Sequence, residues 1–164
     1  MISVGVLTIS DKGSRGERED LSGKKIKDIV SKIDGEVKYY TIIPDEKELI
    51  KKELIKAVDE IHLDLIFTTG GTGLAKRDVT PDATSEVIEK SVPGISEMIR
   101  GESFRKTNRA ILSRAISGIR GESLIINLPG SPKGVEESLE IILDVLPHGI
   151  EILKGQASEC AKKE

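Results

Sequence analysis

Short apolar runs alternate with longer amphipathic stretches along this chain. Four runs are apolar and rich in β-branched residues, which is typical of buried strands: Val4–Ile9, Val37–Ile43, Leu63–Phe67 and Ser123–Leu128. In the stretches between them, apolar residues recur three or four positions apart, the spacing of a helix with one buried face. The alternation predicts a three-layer α/β/α fold in which helices cover both faces of a mostly parallel sheet.

The pattern changes near the end of the chain, where two short apolar segments lie close together. Ala115–Ile119 and Ser123–Leu128 flank a turn at Arg120-Gly121-Glu122, which predicts a hairpin and therefore one antiparallel strand. The sequence shows neither an internal repeat nor a linker. Residues 1–155 are therefore predicted to form a single domain, and residues 156–164 a loosely ordered tail.

The segment after the third predicted strand is rich in glycine. Three glycines fall within the four positions of Gly70-Gly71-Thr72-Gly73. Backbone N–H groups of such a loop suit a phosphate, although glycine is also the default residue of a tight turn. The loop matches neither of the common phosphate-binding motifs. Lys76, Arg77, Asp78 and Asp82 follow closely and favour a ligand, since cations neutralise phosphate and carboxylates hold Mg²⁺.

Three other strands end in residues that suit a binding site. These strand ends carry Ser10-Asp11, Pro44-Asp45 and Gly130-Ser131. Because parallel strands end at the same edge of a sheet, these residues and the glycine loop are expected to face one site. Each also has a structural interpretation: Asp11 terminates a strand, and Lys133 is a solvated surface residue.

Several helix starts are predicted from capping residues. Ser22 is expected to cap the first helix. Thr80-Pro81 and Ser131-Pro132 each resemble an N-cap followed by the proline that often begins a helix. Residue type alone favours Asp45 as a helix cap over a functional carboxylate, because aspartate is a preferred N-cap.

Composition narrows the class of protein. The chain has 164 residues and a net charge of −3, without the basic footprint of a nucleic-acid-binding protein. No apolar run approaches the roughly 20 residues of a membrane span, and no secretory signal is apparent, so a cytoplasmic location is expected. Cys160 is the only cysteine, and His62 and His148 are the only histidines, so any metal is expected to be a hard cation held by carboxylates.

A family resemblance is carried by the stretch around the glycine loop. Thr69–Gly73, followed by Arg77–Thr84, strongly resembles the signature of the MogA/MoaB family of molybdenum cofactor biosynthesis proteins. The segments Ser10-Asp11, Asp20–Gly23 and Pro129–Lys133 also look like the family pattern, so the resemblance covers nearly the whole chain. It implies a MogA-like molybdopterin-binding fold. It also implies a molybdopterin adenylyltransferase, which transfers AMP from Mg-ATP to molybdopterin and releases pyrophosphate.

The same resemblance implies roles for individual residues. Asp45 and Asp78 correspond to the aspartates taken as essential to catalysis, and they would hold Mg²⁺. The residues expected to bind the phosphates of nucleotide and pterin are Ser10, Asp11, Gly70, Gly71, Thr72, Gly73, Asp82, Gly130, Ser131, Pro132 and Lys133.

The resemblance leaves alternative functions open. Related domains bind molybdopterin or act as scaffolds without turnover, and nucleotide pyrophosphatases of the competence-damage-inducible kind share a similar glycine loop. Tungsten can replace molybdenum downstream. The resemblance further implies a homotrimer and a hand-over of the product to a metal-insertion protein, with no membrane or nucleic-acid partner.

Overall fold

Residues 1–156, described by a computed structural model, form a central sheet with helices around it. The strands are β1 (Ile2–Ile9), β2 (Gly35–Ile43), β3 (Leu65–Thr69), β4 (Lys90–Ser91), β5 (Ser117–Arg120) and β6 (Ser123–Leu128). The α-helices are α1 (Asp11–Ser14), α2 (Leu21–Val30), α3 (Lys47–Ile55), α4 (Thr80–Val87), α5 (Pro93–Phe104), α6 (Pro132–Ile142) and α7 (Leu146–Leu153). A π-helical turn over Lys56–Glu60 extends α3, and 3₁₀ turns cover Ser31–Ile33, Asn108–Leu112 and Leu143–Val145.

The sheet has the order β2-β1-β3-β6-β5-β4 and confirms the predicted fold class. β2, β1, β3 and β6 are parallel, so all four end at one edge, called here the carboxyl edge. β5 runs antiparallel to β6 across the predicted hairpin. β4 was not predicted, because its two residues, Lys90 and Ser91, are exposed and too short to show a pattern.

The core lies on both faces of the central strands, because successive side chains of a strand point to opposite faces. Leu65 and Phe67 pack into one apolar cluster with residues of α2, α5, α6 and α7. Ile66 and Leu7 pack into a second cluster with residues of α3 and α4. β3 is buried along its whole length, as expected for a central parallel strand. The rigid sheet therefore fixes the positions of the loops at its carboxyl edge.

Of the helix caps predicted at Ser22, Thr80 and Ser131, the first two were wrong and the third is confirmed. Asp20 caps α2 by accepting a hydrogen bond from the Gly23 N–H at 2.9 Å, whereas buried Ser22 donates to the Gly130 carbonyl at 2.8 Å. Thr80 is already helical and makes no cap, because its own N–H donates to Gly71 O at 3.1 Å in the glycine loop. Ser131 does cap α6, with Pro132 in the first turn.

None of the helices within residues 1–156 is long and apolar enough to cross a membrane. The last described helix ends at Leu153. The predicted loosely ordered tail lies outside the described residues, apart from Gln156.

Candidate active site

A cavity of 590 Å³ opens at the carboxyl edge of the sheet. It lies between the ends of β1 and β3, the start of α2 and the turn before α6. Eight predicted site residues line it: Ser10, Asp45, Gly70, Gly71, Asp78, Gly130, Ser131 and Pro132. The structure thus brings together residues that are up to about 120 positions apart in the sequence, as the parallel-strand argument predicts.

Five predicted site residues lie outside this lining. Asp11 pairs with Arg77, and Asp82 pairs with Arg114. Thr72 and Gly73 follow Gly71 in the glycine loop but do not line the cavity, and Lys133 lines a second cavity on the other side of the turn before α6. The proposed phosphate-binding residues are therefore divided among two cavities, two ion pairs and the remainder of the glycine loop.

Asp45 is held by its neighbour Asp11 rather than by a helix. The Asp11 N–H donates to Asp45 Oδ2 at 3.0 Å, and the Asp45 N–H donates to Asp11 Oδ1 at 3.1 Å. Glu46, not Asp45, precedes α3, and that helix start has no side-chain cap. The capping interpretation of Asp45 was therefore wrong, because this side chain points back to the end of β1.

The two carboxyls of this pair differ in their proton affinity. Burial, together with the negative charges of Asp11 and Asp78, raises the pKa of Asp45, although the Asp11 N–H opposes the shift. Hydrogen bonds from Arg77 lower the pKa of Asp11 to about 2. Asp11 is thus a firmly ionised anchor, while Asp45 carries a charge that its surroundings leave poorly compensated.

Asp78 sits at the end of the glycine loop, which Arg114 holds in place. Asp78 Oδ2 accepts from the Ala75 N–H at 3.0 Å, so the loop folds around its own carboxylate. Arg114 donates from Nε to Gly73 O at 2.8 Å, from Nη2 to Asp78 O, and from both Nη atoms to Asp82. One guanidinium therefore fixes both ends of the segment that carries Asp78.

The backbone conformation of the glycine loop requires glycine at two positions, and the loop carries backbone N–H groups without acceptors. Gly70 and Gly71 have φ values of +101° and +66°, where other residues are strained, and a Cβ on Gly70 would lie 2.3 Å from Ile9 O. Among the described residues, the N–H groups of Gly71, Thr72 and Gly73 have no hydrogen-bond acceptor. The loop therefore presents unpaired amides next to the cavity, as an anion site requires.

Thr80 lies directly behind this loop with its hydroxyl unpaired. Thr80 Oγ1 is the one side-chain polar atom of residues 1–156 that is both completely buried and without a partner. A Cβ on Gly71 would lie 2.4 Å from that atom and 3.0 Å from Asp45 Oδ1. Orphaned buried hydroxyls are rare and costly, so Thr80 Oγ1 is a polar atom that the described protein groups leave unsatisfied.

Three charged residues of the cavity escaped the sequence-based assignment of site residues. Asp20 lines the cavity and accepts hydrogen bonds from Thr8 Oγ1 and Tyr40 OH, each at 2.6 Å. Its segment matched the family pattern, but no local feature showed that it reaches the site. Arg18 and Glu19, from the polar loop before α2, also line the cavity.

The cavity carboxylates suit Mg²⁺ better than a metal that needs a complete protein cage. Residues 1–156 contain no group of three or more His, Cys, Asp or Glu side chains placed to hold a metal. Mg²⁺ typically uses one or two carboxylates together with substrate phosphates and water. Asp45 and Asp78 line the same cavity and repel each other, and a divalent cation would relieve this repulsion.

Comparisons with known proteins agree on one family. A family model described as a probable molybdopterin binding domain matches residues 5–148. The molybdopterin adenylyltransferase of Helicobacter pylori is 46% identical over 164 residues, covering 99% of this chain and 93% of that protein. The molybdopterin biosynthesis enzyme MoaB of Thermus thermophilus aligns with a TM-score of 0.90 at 50% identity, covering 97% of this chain and 100% of that one. The tungsten cofactor synthesizing protein MoaB of Pyrococcus furiosus aligns with a TM-score of 0.84 at 37% identity, covering 96% of this chain and 98% of that one.

Proposed function

The chain belongs to the MogA/MoaB family of molybdenum cofactor biosynthesis proteins, and we propose that it is a molybdopterin adenylyltransferase. In the proposed reaction, an oxygen of the molybdopterin phosphate attacks the α-phosphorus of ATP. The bond between the α-phosphorus and the bridging oxygen breaks, and pyrophosphate leaves with the electron pair. The same activity would serve a tungsten cofactor pathway.

The chemical difficulty of this reaction is the approach of two anions. The acceptor is a phosphate monoester, which is anionic at neutral pH and needs no strong base. Catalysis then depends on neutralising charge, aligning the attacking oxygen and stabilising pyrophosphate. The unpaired amides of Gly71, Thr72 and Gly73 would donate to phosphate oxygens from a fixed backbone.

Asp45 and Asp78 have a different task, because a carboxylate repels a phosphate unless a cation lies between them. We assign these two side chains to hold Mg²⁺, which would neutralise the phosphates when bound. Arg114 keeps the backbone at Asp78 in place, and Asp11 keeps Asp45 in place. The observation that carries the proposal is that one cavity adjoins unpaired loop amides and is lined by two separately positioned carboxylates.

The test is to follow a labelled α-phosphate from Mg-ATP to molybdopterin while measuring pyrophosphate release. Transfer that requires Mg²⁺ and both substrates is the expected result, and Asp78→Asn should abolish it without loss of folding. Tight pterin binding without transfer would indicate a carrier or scaffold. Nucleotide hydrolysis without pterin would indicate a pyrophosphatase.

We also propose a cytoplasmic homotrimer that passes its product to a metal-insertion protein. Support for self-association comes from α5 and the turn after it, where Met98, Phe104, Ile111 and Leu112 are all exposed. Light scattering at micromolar concentration should give about three times the chain mass, and a monomer mass would contradict the proposal.

A further inference from the structure

The glycine loop has several attachments on one side of the cavity and a single one on the other. On the side of α4, Arg114 donates to Gly73 O at 2.8 Å. Toward the ends of β1 and β2, residues 71–79 make one hydrogen-bonded contact within the described chain, between Arg77 and Asp11. Arg77 is therefore the side chain that ties the loop to these strand ends.

This contact is a two-pronged ion pair, because a guanidinium and a carboxylate can share two parallel hydrogen bonds. Arg77 donates from Nε to Asp11 Oδ2 at 2.5 Å and from Nη2 to Asp11 Oδ1 at 2.8 Å. The two residues lie 66 positions apart in the sequence. While this pair is intact, Arg77 is not free to neutralise a phosphate, although its residue type suggests that role.

Asp11 connects the arginine to the first of the two carboxylates assigned to Mg²⁺. Besides Arg77 Nη2, Asp11 Oδ1 accepts the Asp45 N–H at 3.1 Å, and the Asp11 N–H in turn donates to Asp45 Oδ2 at 3.0 Å. The guanidinium thus orients the residue that holds both the backbone and the side chain of Asp45. The other oxygen, Asp45 Oδ1, faces the glycine loop, where it would lie 3.0 Å from a Cβ on Gly71.

The loop that Arg77 ties down carries the second of these carboxylates. Asp78 follows Arg77 directly in the chain and lines the cavity together with Asp45. Two carboxylates can share one Mg²⁺ only at a defined separation, because this ion demands near-octahedral geometry with oxygens at about 2 Å. One arginine therefore links the two segments whose spacing decides whether both carboxylates reach the same ion.

We propose that Arg77 is a positioning residue, which sets the spacing between the carboxylates of Asp45 and Asp78. It does so through Asp11, by tying the segment that carries one carboxylate to the segment that carries the other. The proposal rests on the proposed function, because that function assigns Mg²⁺ to these two side chains. Arg77 contributes little to the stability of the fold, since its side chain is 60% exposed and exposed ion pairs are weak.

The first test is the affinity of the protein for Mn²⁺, a paramagnetic substitute for Mg²⁺ whose free concentration is measured by electron paramagnetic resonance. Arg77→Gln should weaken Mn²⁺ binding about tenfold, as loss of a residue that orients a metal ligand typically does. Loss of a positive charge alone would have the opposite effect and tighten the binding of a cation.

Arg15→Gln is the matched control for this measurement. Arg15 is also exposed and its charge also acts on Asp11, but it pairs with Glu17. Its substitution should leave Mn²⁺ binding unchanged or slightly tighter. Neither variant should change the melting temperature by more than about 2 °C, because both lose only an exposed ion pair.

The second test is a double-mutant cycle for AMP transfer at limiting Mg²⁺. Arg77→Gln should lower the rate about tenfold in the unmodified protein and have no further effect in an Asp11→Ala background, because both changes remove one link. KM for molybdopterin should change less than twofold on Arg77→Gln. Losses that multiply in the double variant would show that Arg77 acts on a ligand directly, and they would overturn the proposal.

Unchanged or tighter Mn²⁺ binding in Arg77→Gln would also overturn the proposal, as would the absence of Mn²⁺ binding to the unmodified protein at millimolar concentration. The proposed function fails separately. If the unmodified protein transfers AMP and Arg77→Gln matches it in both tests, the positioning role is wrong and the function stands. If Mn²⁺ binding depends on Arg77 but no AMP is transferred, the positioning role stands and the function is wrong.

Discussion

Asp45 and Asp64 are two aspartates at opposite edges of the same sheet, and they differ in how completely the fold satisfies them. Asp64 precedes β3 and accepts from the Ser3 N–H at 2.7 Å, from Ser3 Oγ at 2.8 Å and from Lys154 Nζ at 2.7 Å. Asp45, at the carboxyl edge, accepts only from the Asp11 N–H among the described residues. One carboxylate is saturated with donors, and the other is left with open acceptor positions.

The pKa directions follow this difference. Burial alone would raise the pKa of Asp64, but the hydrogen bonds from Lys154 and Ser3 outweigh it and lower that pKa. At Asp45 burial prevails, and the pKa is raised. The ionised form of Asp64 therefore stabilises the fold, whereas the ionised form of Asp45 is disfavoured by its surroundings. A carboxylate kept poorly satisfied within a firm scaffold is more useful for binding a cation than for stability.

The largest effect expected from this comparison is on catalysis. Asp45→Asn should reduce AMP transfer roughly 10³-fold, because it removes one of two carboxylates assigned to Mg²⁺. The asparagine oxygen can still accept the Asp11 N–H, and a poorly compensated charge is lost, so the melting temperature should not fall. Transfer assays and thermal unfolding of the same preparation check both parts. Full activity at saturating Mg²⁺ would remove Asp45 from the site.

The converse substitution should affect stability and spare catalysis. Asp64→Ala leaves Lys154 and the Ser3 N–H without their acceptor, which should cost about 2–3 kcal/mol of unfolding free energy. The melting temperature would then fall by roughly 4–12 °C. Transfer at 25 °C should stay within about twofold. Asp28→Ala, on the exposed face of α2, is the control and should change stability by less than ~0.5 kcal/mol.

A smaller loss of activity is expected from Arg114→Lys. A lysine keeps the charge but has no planar fork, so it cannot hold Gly73 O, Asp78 O and the Asp82 carboxylate at once. The loop that carries Asp78 should loosen and kcat should fall about tenfold. Steady-state kinetics beside Arg105→Lys, an exposed arginine with no such role, provide the comparison. An unchanged kcat would show that the position of the loop does not depend on the hydrogen bonds of the Arg114 guanidinium.

The two aspartates should also separate in their response to pH. The stabilising contribution of Asp64 is fully present above the unfolded carboxyl pKa of about 3.9, and it is lost as pH falls through its lower folded value. Asp45 has a raised pKa, so it takes up its proton at a higher pH. Activity should therefore decline on acidification before the fold weakens. In Asp45→Asn, the residual activity should no longer decline on acidification. In Asp64→Asn, the decline in activity should remain, and the melting temperature should depend less steeply on pH in the acid range.

The sequence allowed one of these two regions to be predicted much better than the other. Apolar runs and parallel order place Ser10, Asp45 and the glycine loop at one edge, and the cavity confirms that placement. Nothing local marks Asp64 as a structural anchor, because its partners Ser3 and Lys154 are 61 and 90 positions away. Hydrogen bonds between distant segments depend on tertiary packing, which periodicity does not report.

The same reason explains which contacts within the site the sequence did not predict. Asp82 has the chemistry of a ligand-binding residue, yet it pairs with Arg114, which lies 32 positions later in the sequence. Asp45 has the residue type of a helix cap, but its side chain meets Asp11 at the end of another strand. The sequence shows which positions carry charged side chains. Tertiary packing decides which of these side chains form ion pairs and which remain available to a ligand.

The smallest predicted effect concerns Thr80, the unsatisfied hydroxyl on the same edge as Asp45. Thr80→Val keeps the shape of the side chain and removes a buried group that has no partner, so it should stabilise the fold by about 1 kcal/mol. The melting temperature should then rise by roughly 2–4 °C. Thr80→Ser, which keeps the hydroxyl, should show no such gain. A fall in the melting temperature of Thr80→Val would mean that the hydroxyl is already bonded to a buried water. The polar groups at this edge of the sheet would then be nearly as well hydrogen-bonded as Asp64 is at the opposite edge. A rise together with a loss of AMP transfer would mean that this edge gives up stability for its function.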